Sequence, residues 1–428
     1  MQVPSKRNQL FHEKTSANHP IRMVFWGFLI VAGLYILQGV NSGEIQPLFL
    51  PTPTATRSVS SYRQEGAAFF EAGNLDQAIQ AYQDALAVDQ ADYLGWAELA
   101  RIQVYSASSL TQERKRERLA EARESIANAI AVAPDESIVR AVSAFVLDWS
   151  AGAAGNQAER ESYLAEASTE AIRAVQQDSN NVLALAYLAE IYADQQQFTQ
   201  AYQYAELALE RDPNSVDARR VYAYVLESTG DYGNAIDQYA LAAELAPNLT
   251  FLYISIGQNF RQLGLYDQAL EYFDRAASIN SVLGISDPLP YVAIAKTYSR
   301  EGEFFAAAEN AKKAISFDPT NPDLYGQLGI IYFRSRNYES SIPILQCAVV
   351  GCTGAENEQV DGIAVSPLPL DDATVPYFYT YGTVTASLEQ CDTAEPILDL
   401  LSVEYADNAL VMDIVNESYE IMVRLGCR

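Results

Sequence analysis

The chain has 428 residues, 49% of them hydrophobic and 11% aromatic, so it has ample material for a folded core, and its length alone suggests two or three domains. With 55 acids against 28 bases the net charge is −27, which argues against nucleic acid and against wide contact with anionic lipid headgroups. The only two histidines, His12 and His19, lie near the N-terminus, so the rest of the chain must work without the residue that Ser-His-Asp triads, Cys-His pairs and most zinc sites require.

The first predicted element is an apolar helix. Lys6, Arg7, Lys14 and Arg22 outnumber Glu13 at the start of the chain, and an apolar run from Ile21 to Val40 follows. At roughly 1.5 Å per residue this run makes a helix of about 30 Å, enough to cross a bilayer. Trp26 and Tyr35 suit the two interfaces, and the basic flank is expected to hold residues 1–20 in the cytoplasm. An uncleaved anchor over 21–40 is the expected reading. A signal peptide cut near Val40-Asn41-Ser42 and a buried core helix are the alternatives. Either of the first two places the rest of the chain outside the cytoplasm, and the anchor makes it a single-pass cell-membrane protein. Residues 41–58, with Pro47, Pro51 and Pro53 among threonines, read as an extended spacer.

From about residue 59 to 349 the sequence repeats at 34 residues. Blocks 182–215, 216–249, 250–283 and, after a four-residue slip, 288–321 align without gaps. Position 8 is small (Ala189, Ala223, Gly257, Ala295), and position 20 is alanine (Ala201, Ala235, Ala269, Ala307). Position 27 is alanine again (Ala208, Ala242, Ala276, Ala314), and position 32 is Pro213, Pro247, Ser281 and Pro319. Small residues at 8 and 20 let the two helices of a hairpin approach, alanine at 27 admits the next hairpin, and proline at 32 stops the second helix. Large residues at 4, 11 and 24, such as Tyr253, Phe260 and Phe273, fill the space between helices, which accounts for most of the 27 tyrosines. Gly230-Asp231, Gly264-Leu265 and Gly302-Glu303 mark the turns. Blocks 59–92 and 322–349 fit with departures (Gln90 for the proline, Ser341 for the position-20 alanine), and two blocks between 93 and 180 carry insertions between their helices. About eight repeats result.

This pattern resembles the tetratricopeptide repeat family over most of 59–348. The resemblance implies an all-α, right-handed superhelical α-solenoid of helix-turn-helix repeats, here preceded by one transmembrane helix. It implies a scaffold that binds a protein or peptide in a concave groove lined by the first helices, with no catalysis and no cofactor. In this family positions 2, 5, 9, 12 and 13 of each first helix face that groove. In the blocks starting at 250, 288 and 322 those fifteen positions include Arg261, Lys296, Arg300 and Arg334, with Asp323 the sole acid. Two readings stand for these bases: a basic groove that receives an acidic peptide or C-terminal carboxylate, or solvated charges paired with neighbouring acids. Arg63, Arg101 and Arg220 occupy similar faces earlier, beside Glu71, Glu190, Asp194 and Glu227. The family's carboxylate clamp of Lys and Asn on three adjacent helices is not reproduced.

The four cysteines, Cys347, Cys352, Cys391 and Cys427, are spaced poorly for a metal site and suit disulfides in an oxidising compartment. The favoured pairs are Cys347–Cys352 and Cys391–Cys427, with free buried thiols the alternative. Between them, 350–374 reads as an acidic loop insertion with Glu356, Glu358, Asp361, Asp371 and Asp372 and no base, with no calcium-loop spacing. Folding of this loop over the basic groove, as an internal competitor, is a further reading. Residues 375–428 read as a divergent repeat and a capping helix. The leading function is thus a membrane-anchored, extracytoplasmic interaction scaffold. A structural subunit of an envelope, secretion or pilus-type assembly is the second reading, and a carboxylate-based glycosidase a remote third.

Overall fold

The computed structural model describes residues 20–41 and 57–427, so the basic tail and most of the Pro/Thr spacer lie outside the described residues. The chain divides into two units, residues 1–57 and 58–428. The described part of the first is one helix, Pro20–Asn41, long and apolar enough to cross a membrane. Its large apolar side chains from Ile21 to Leu37 are exposed, which leaves it without the packed face of a core helix.

The second unit is an all-α solenoid: helices follow one another in antiparallel pairs, and the described residues contain a single isolated β-bridge and no longer strand. The repeat positions pack as their sizes require. Ala201, Ala235, Ala269 and Ala307 are each fully buried, as are Ala208, Ala242 and Ala276. At Gly257 an added Cβ would lie 2.5 Å from the Phe273 ring, so the glycine lets the two helices of that hairpin close over a large aromatic. Tyr253 and Tyr325, at position 4, bury their rings and donate to the carbonyls of Pro247 and Pro319 (2.9 and 2.8 Å), which links each repeat to the proline that ended the previous one.

The proline position sets helix length. The helices Phe198–Arg211, Tyr232–Leu245 and Phe304–Phe317 have 14 residues each and stop two residues before Pro213, Pro247 and Pro319. In the third block Ser281 replaces proline, and Tyr266–Leu283 continues to 18 residues before Gly284 ends it at φ 70°. This extension is the origin of the four-residue slip in the repeat. The insertions expected between helices are also helical. They lengthen the second helices Gln112–Val132 and Gln157–Gln177 to 21 residues.

The long helix Gln112–Val132 joins the two ends of the solenoid. Near its start Arg114 pairs with Asp318 (3.7 Å), Arg116 pairs with Asp371 (3.3 Å), and Thr111 accepts from Asn321. The turn after the first hairpin helix also meets the fifth repeat, where Asn248 donates to the Glu71 carbonyl at 3.4 Å. The solenoid therefore closes on itself, and much of the face formed by the first helices is covered by the chain.

At the C-terminal end, Cys347 and Cys352 lie with their Sγ atoms at disulfide distance and their Cα atoms 4.6 Å apart, and Cys391 and Cys427 do the same with Cα atoms 5.9 Å apart. The acidic segment between them is folded. Cys352 bridges Val365, Leu368 N–H donates to Ala348, and Asn357 donates to the Tyr325 hydroxyl at 2.8 Å. The last helices are Val375–Ser387, Cys391–Glu404 and Ala409–Arg424.

Candidate functional site

The face formed by the first helices carries two kinds of charge. In its middle, four helices bring together a buried lattice. Arg101 pairs with Asp217 at 3.1 Å, and the hydroxyls of Tyr105 and Tyr187 both donate to the same carboxylate, the latter at 2.7 Å. Burial alone would raise the Asp217 pKa, but Arg101, Arg220 and the two tyrosine hydroxyls hold it below the ordinary value. Arg220 donates both terminal nitrogens to Glu190 at 2.6 Å, and Trp149 adds its indole N–H at 3.2 Å. Arg220 and Glu190 are each 4% exposed, and the guanidinium lies 5.4–5.9 Å from the ring centroids of Tyr105, Phe145 and Trp149. A buried, two-pronged ion pair against three aromatic faces is a structural device, since both charges are satisfied within the chain. Arg101 and Arg220, expected on a groove face, are thus part of the interior.

The C-terminal part of the same face differs. Arg261, Lys296 and Arg300 stand close enough that Arg300 disfavours the charge of Arg261, and both arginines disfavour that of Lys296. Burial first and Arg300 second lower the Arg261 pKa. Burial also lowers Lys296, with Asp323 opposing and Arg261 and Arg300 adding to the effect. Among the described residues none of the three has a carboxylate oxygen within 4.0 Å, nor does Arg334. Arg261 donates to the Ala293 carbonyl at 3.3 Å, and its Nε is buried without a partner. Arg300 reaches Gln262 at 3.4 Å, and Arg334 on the next helix donates to Ser299 at 2.8 Å. Lys296 is exposed to solvent yet walled in on most sides, as a side chain in a concavity would be. It lines a cavity of about 630 Å³, whose walls also include Arg116, Leu368 and Asp371. Asp323, also on that wall, is engaged by Tyr377 and Gln327, each at 2.6 Å. The structure brings Arg261, Lys296 and Arg300 together and sets Arg334 one helix further on. The acidic segment supplies one wall of the cavity, and among its described acids only Asp371 forms an ion pair, with Arg116 and not with any of the four bases.

The buried lattice carries a signal in the sequence that block alignment alone passes over. Tyr187–Asp217, Glu190–Arg220 and Asp194–Tyr224 all join residues 30 apart, so position p of one block meets position p−4 of the next. Scanning for complementary polar pairs at that offset finds all three. The contacts of Arg101 and Tyr105 with Asp217 span 116 and 112 residues and follow only from the coiling of the solenoid.

An α-solenoid of helix hairpins with small residues at fixed positions defines a repeat scaffold, and comparison with known proteins places it. Residues 188–249, 252–282 and 310–342 match tetratricopeptide repeat models. BBSome complex member BBS4 of Bos taurus is 29% identical over 122 residues, which cover 28% of this chain and 22% of that protein. The small glutamine-rich tetratricopeptide repeat-containing protein 2 of Mycosarcoma maydis is 30% identical over 94 residues, covering 22% of this chain and 26% of that protein. The chain thus matches about a quarter of the length of each curated relative. Among solved structures, the human IFIT1 dimer with m7Gppp-AAAA superposes with a TM-score of 0.50 at 15% identity, covering 76% of this chain and 78% of that one, a likeness of fold.

Proposed function

We propose that the chain is a membrane-anchored scaffold whose repeats lie on the extracytoplasmic side and bind a protein or peptide partner. Acidic side chains or a C-terminal carboxylate of that partner are received at Arg261, Lys296 and Arg300. The observation that carries the site is that these neighbouring cations share one partly enclosed face and, among the described residues, meet no carboxylate within 4.0 Å. Guanidinium groups in such a setting bind carboxylates with two parallel hydrogen bonds.

The anchor reading draws on the apolar helix Pro20–Asn41, and the compartment on the two cysteine pairs, since disulfides persist in oxidising surroundings. A signal sequence shares the length and composition of that helix. Sequencing the N-terminus of the mature protein separates the two, because only an anchor keeps Arg22 and Trp26. The net charge of −27 supports a protein partner over nucleic acid. A binding role, and not catalysis, is favoured by the spacing of a carboxyl pair on this face. Asp148 and Asp194 lie within hydrogen-bonding reach of each other, closer than the roughly 5–9.5 Å that a glycosidase pair keeps.

The site is tested by titrating a fluorescent aspartate- and glutamate-rich peptide with a free C-terminus onto the full-length protein in detergent. Binding that weakens at least about tenfold in Arg261→Gln/Lys296→Gln/Arg300→Gln, and with rising salt, is expected. Equal binding by both proteins, or none by either, removes the acidic-peptide site.

A further inference from the structure

Beside the buried lattice, the same face holds a second cavity of about 350 Å³ with the opposite chemistry. Asp148, Glu190, Asp194 and Glu227 contribute four carboxyls to its wall, and Trp149, Tyr224, Tyr239 and Phe251 contribute rings. Glu190 is neutralised by Arg220, but the other three acids have no basic partner within 4.0 Å among the described residues. Asp194 accepts from the Tyr224 hydroxyl, and Glu227 accepts from Tyr239 (3.1 Å) and Asn259 (3.0 Å).

Asp148 is the anomaly. It is 3% exposed, its Oδ1 is buried without a hydrogen-bond partner, and its carboxyl lies beside another acid, Asp194. A buried carboxyl oxygen with no donor is costly, and a cavity that it lines is where the missing donor belongs. Three cations of the chain lie near and leave it unmet. Arg220 is committed to Glu190. Arg160 exerts only a distant pull on Asp148 and Asp194, and Lys115 at the cavity edge stands 5.5 Å over the Trp149 ring with no carboxylate within reach. Among the described residues no three acids are placed to hold a metal ion, which leaves a nitrogen cation as the fitting occupant.

We propose that this cavity binds the primary ammonium of an alkylamine, either the end of a partner's lysine side chain or a free polyamine. Its N–H groups are held by Asp148 and Asp194, and its charge and methylenes lie against Trp149. The site stands independently of the acidic-peptide site at Arg261, Lys296 and Arg300, which uses other residues and the opposite charge.

Proton linkage follows. Burial first, then Asp194 and Glu190, raise the Asp148 pKa well above the carboxylate range, and burial also raises Asp194 and Glu227. A bound ammonium favours the ionised carboxylates, so it expels protons, and affinity rises with pH through the weakly acidic range.

The test is calorimetric titration of the full-length protein in detergent with two probes, spermidine and a blocked tripeptide containing one lysine. Saturable binding with proton release, read from buffers of different ionisation heat, is expected for at least one probe. Binding of the tripeptide assigns the cavity to a partner's lysine; binding of spermidine alone assigns it to a free polyamine. Acetylating the probe amines abolishes it, and Asp148→Asn weakens it at least about tenfold. Glu309→Gln, on the exposed surface, leaves it unchanged. No saturable binding of either probe by the wild-type protein, binding without proton release, or equal binding by folded Asp148→Asn overturns the proposal. The proton count needs only the wild-type protein, so it decides the matter even where the variant does not fold.

Discussion

Helices Val216–Ser228 and Leu289–Glu301 are equivalent elements of the repeat, yet the charges on their shared face have opposite settings. Arg220 on the first is buried against Glu190 and the rings of Tyr105, Phe145 and Trp149. Lys296 and Arg300 on the second face solvent, Lys296 also lining a cavity, and among the described residues neither has a carboxylate oxygen within 4.0 Å. The coiling of the solenoid makes the difference. The helix Tyr93–Ala107 packs across onto Val216–Ser228 and seals the middle of the face, whereas the far end of the face meets the start of Gln112–Val132 and the segment 366–374. One pattern of residues therefore builds an interior in one place and an open surface in another, and the partners of a charge, not its repeat position, decide its role.

The largest expected effect comes from breaking the sealed region. Arg220→Met leaves Glu190 buried with only the Trp149 N–H, and unfolding should become easier by about 3–5 kcal/mol. Adding Glu190→Met should restore most of that loss, because a well-packed apolar pair often replaces a buried ion pair at little cost. Denaturant unfolding of the wild type, both single variants and the double variant measures the difference. A double variant as unstable as the single one would mean that the pair, and not the orphaned charge, holds the region.

An acid buried without any base lies between these extremes. Asp287 is 2% exposed, accepts from Leu289 N–H and from Asn280 (both 2.8 Å), and burial carries its pKa from 3.8 to about 7. Its folded pKa lies above the unfolded one, so its contribution to stability is complete below about pH 4 and is lost as pH rises to about 7. Asp287→Asn removes that loss. The new amide can donate to the Oδ1 of Asn280, which is now buried without a partner, once the Asn280 side chain flips. The variant should gain roughly 2 kcal/mol at neutral pH and differ little below about pH 4, measured by thermal unfolding across that range.

How much of this was legible in the sequence follows from distance along the chain. The packing of Gly257 on Phe273, the alanines at positions 20 and 27, and the stop before Pro213, Pro247 and Pro319 are contacts within a hairpin or to its neighbour, and 34-residue spacing exposes them. Ser281 was also informative, since a helix without its proline stop has reason to run on to Leu283. Arg261, Lys296 and Arg300 could be picked from repeat positions because they belong to adjacent repeats. Sealing of the middle of the face could not, since it depends on contacts more than 100 residues apart that arise only from the pitch of the coil. Asp148 gave no signal of its own, because an acid on an apolar helix shows its isolation only when the surrounding helices are in place.

The smallest effect tests the other side of the comparison. Lys296→Ala, Arg300→Ala and Arg334→Ala each remove an exposed cation that has no carboxylate within 4.0 Å among the described residues, so no ion pair seen there is broken and no opposite charge is left buried. Arg334 loses its hydrogen bond to Ser299 and its position 5.9 Å from the Phe304 ring, and Arg300 loses a long contact with Gln262. Lys296→Ala also relieves repulsion from Arg261 and Arg300, which offsets the packing lost with its methylene stem. Each variant should therefore unfold within about 0.5 kcal/mol of the wild type, with Lys296→Ala the nearest to zero. Denaturant melts of the three single variants give the answer. A loss of several kcal/mol at any one would show that the open cluster supports the fold as Arg220 does, and the basic surface would then have no spare charge to offer a partner. Near-zero values would leave three cations on one face that stabilise nothing within the chain, which is the physical condition for their charge to be available to a ligand.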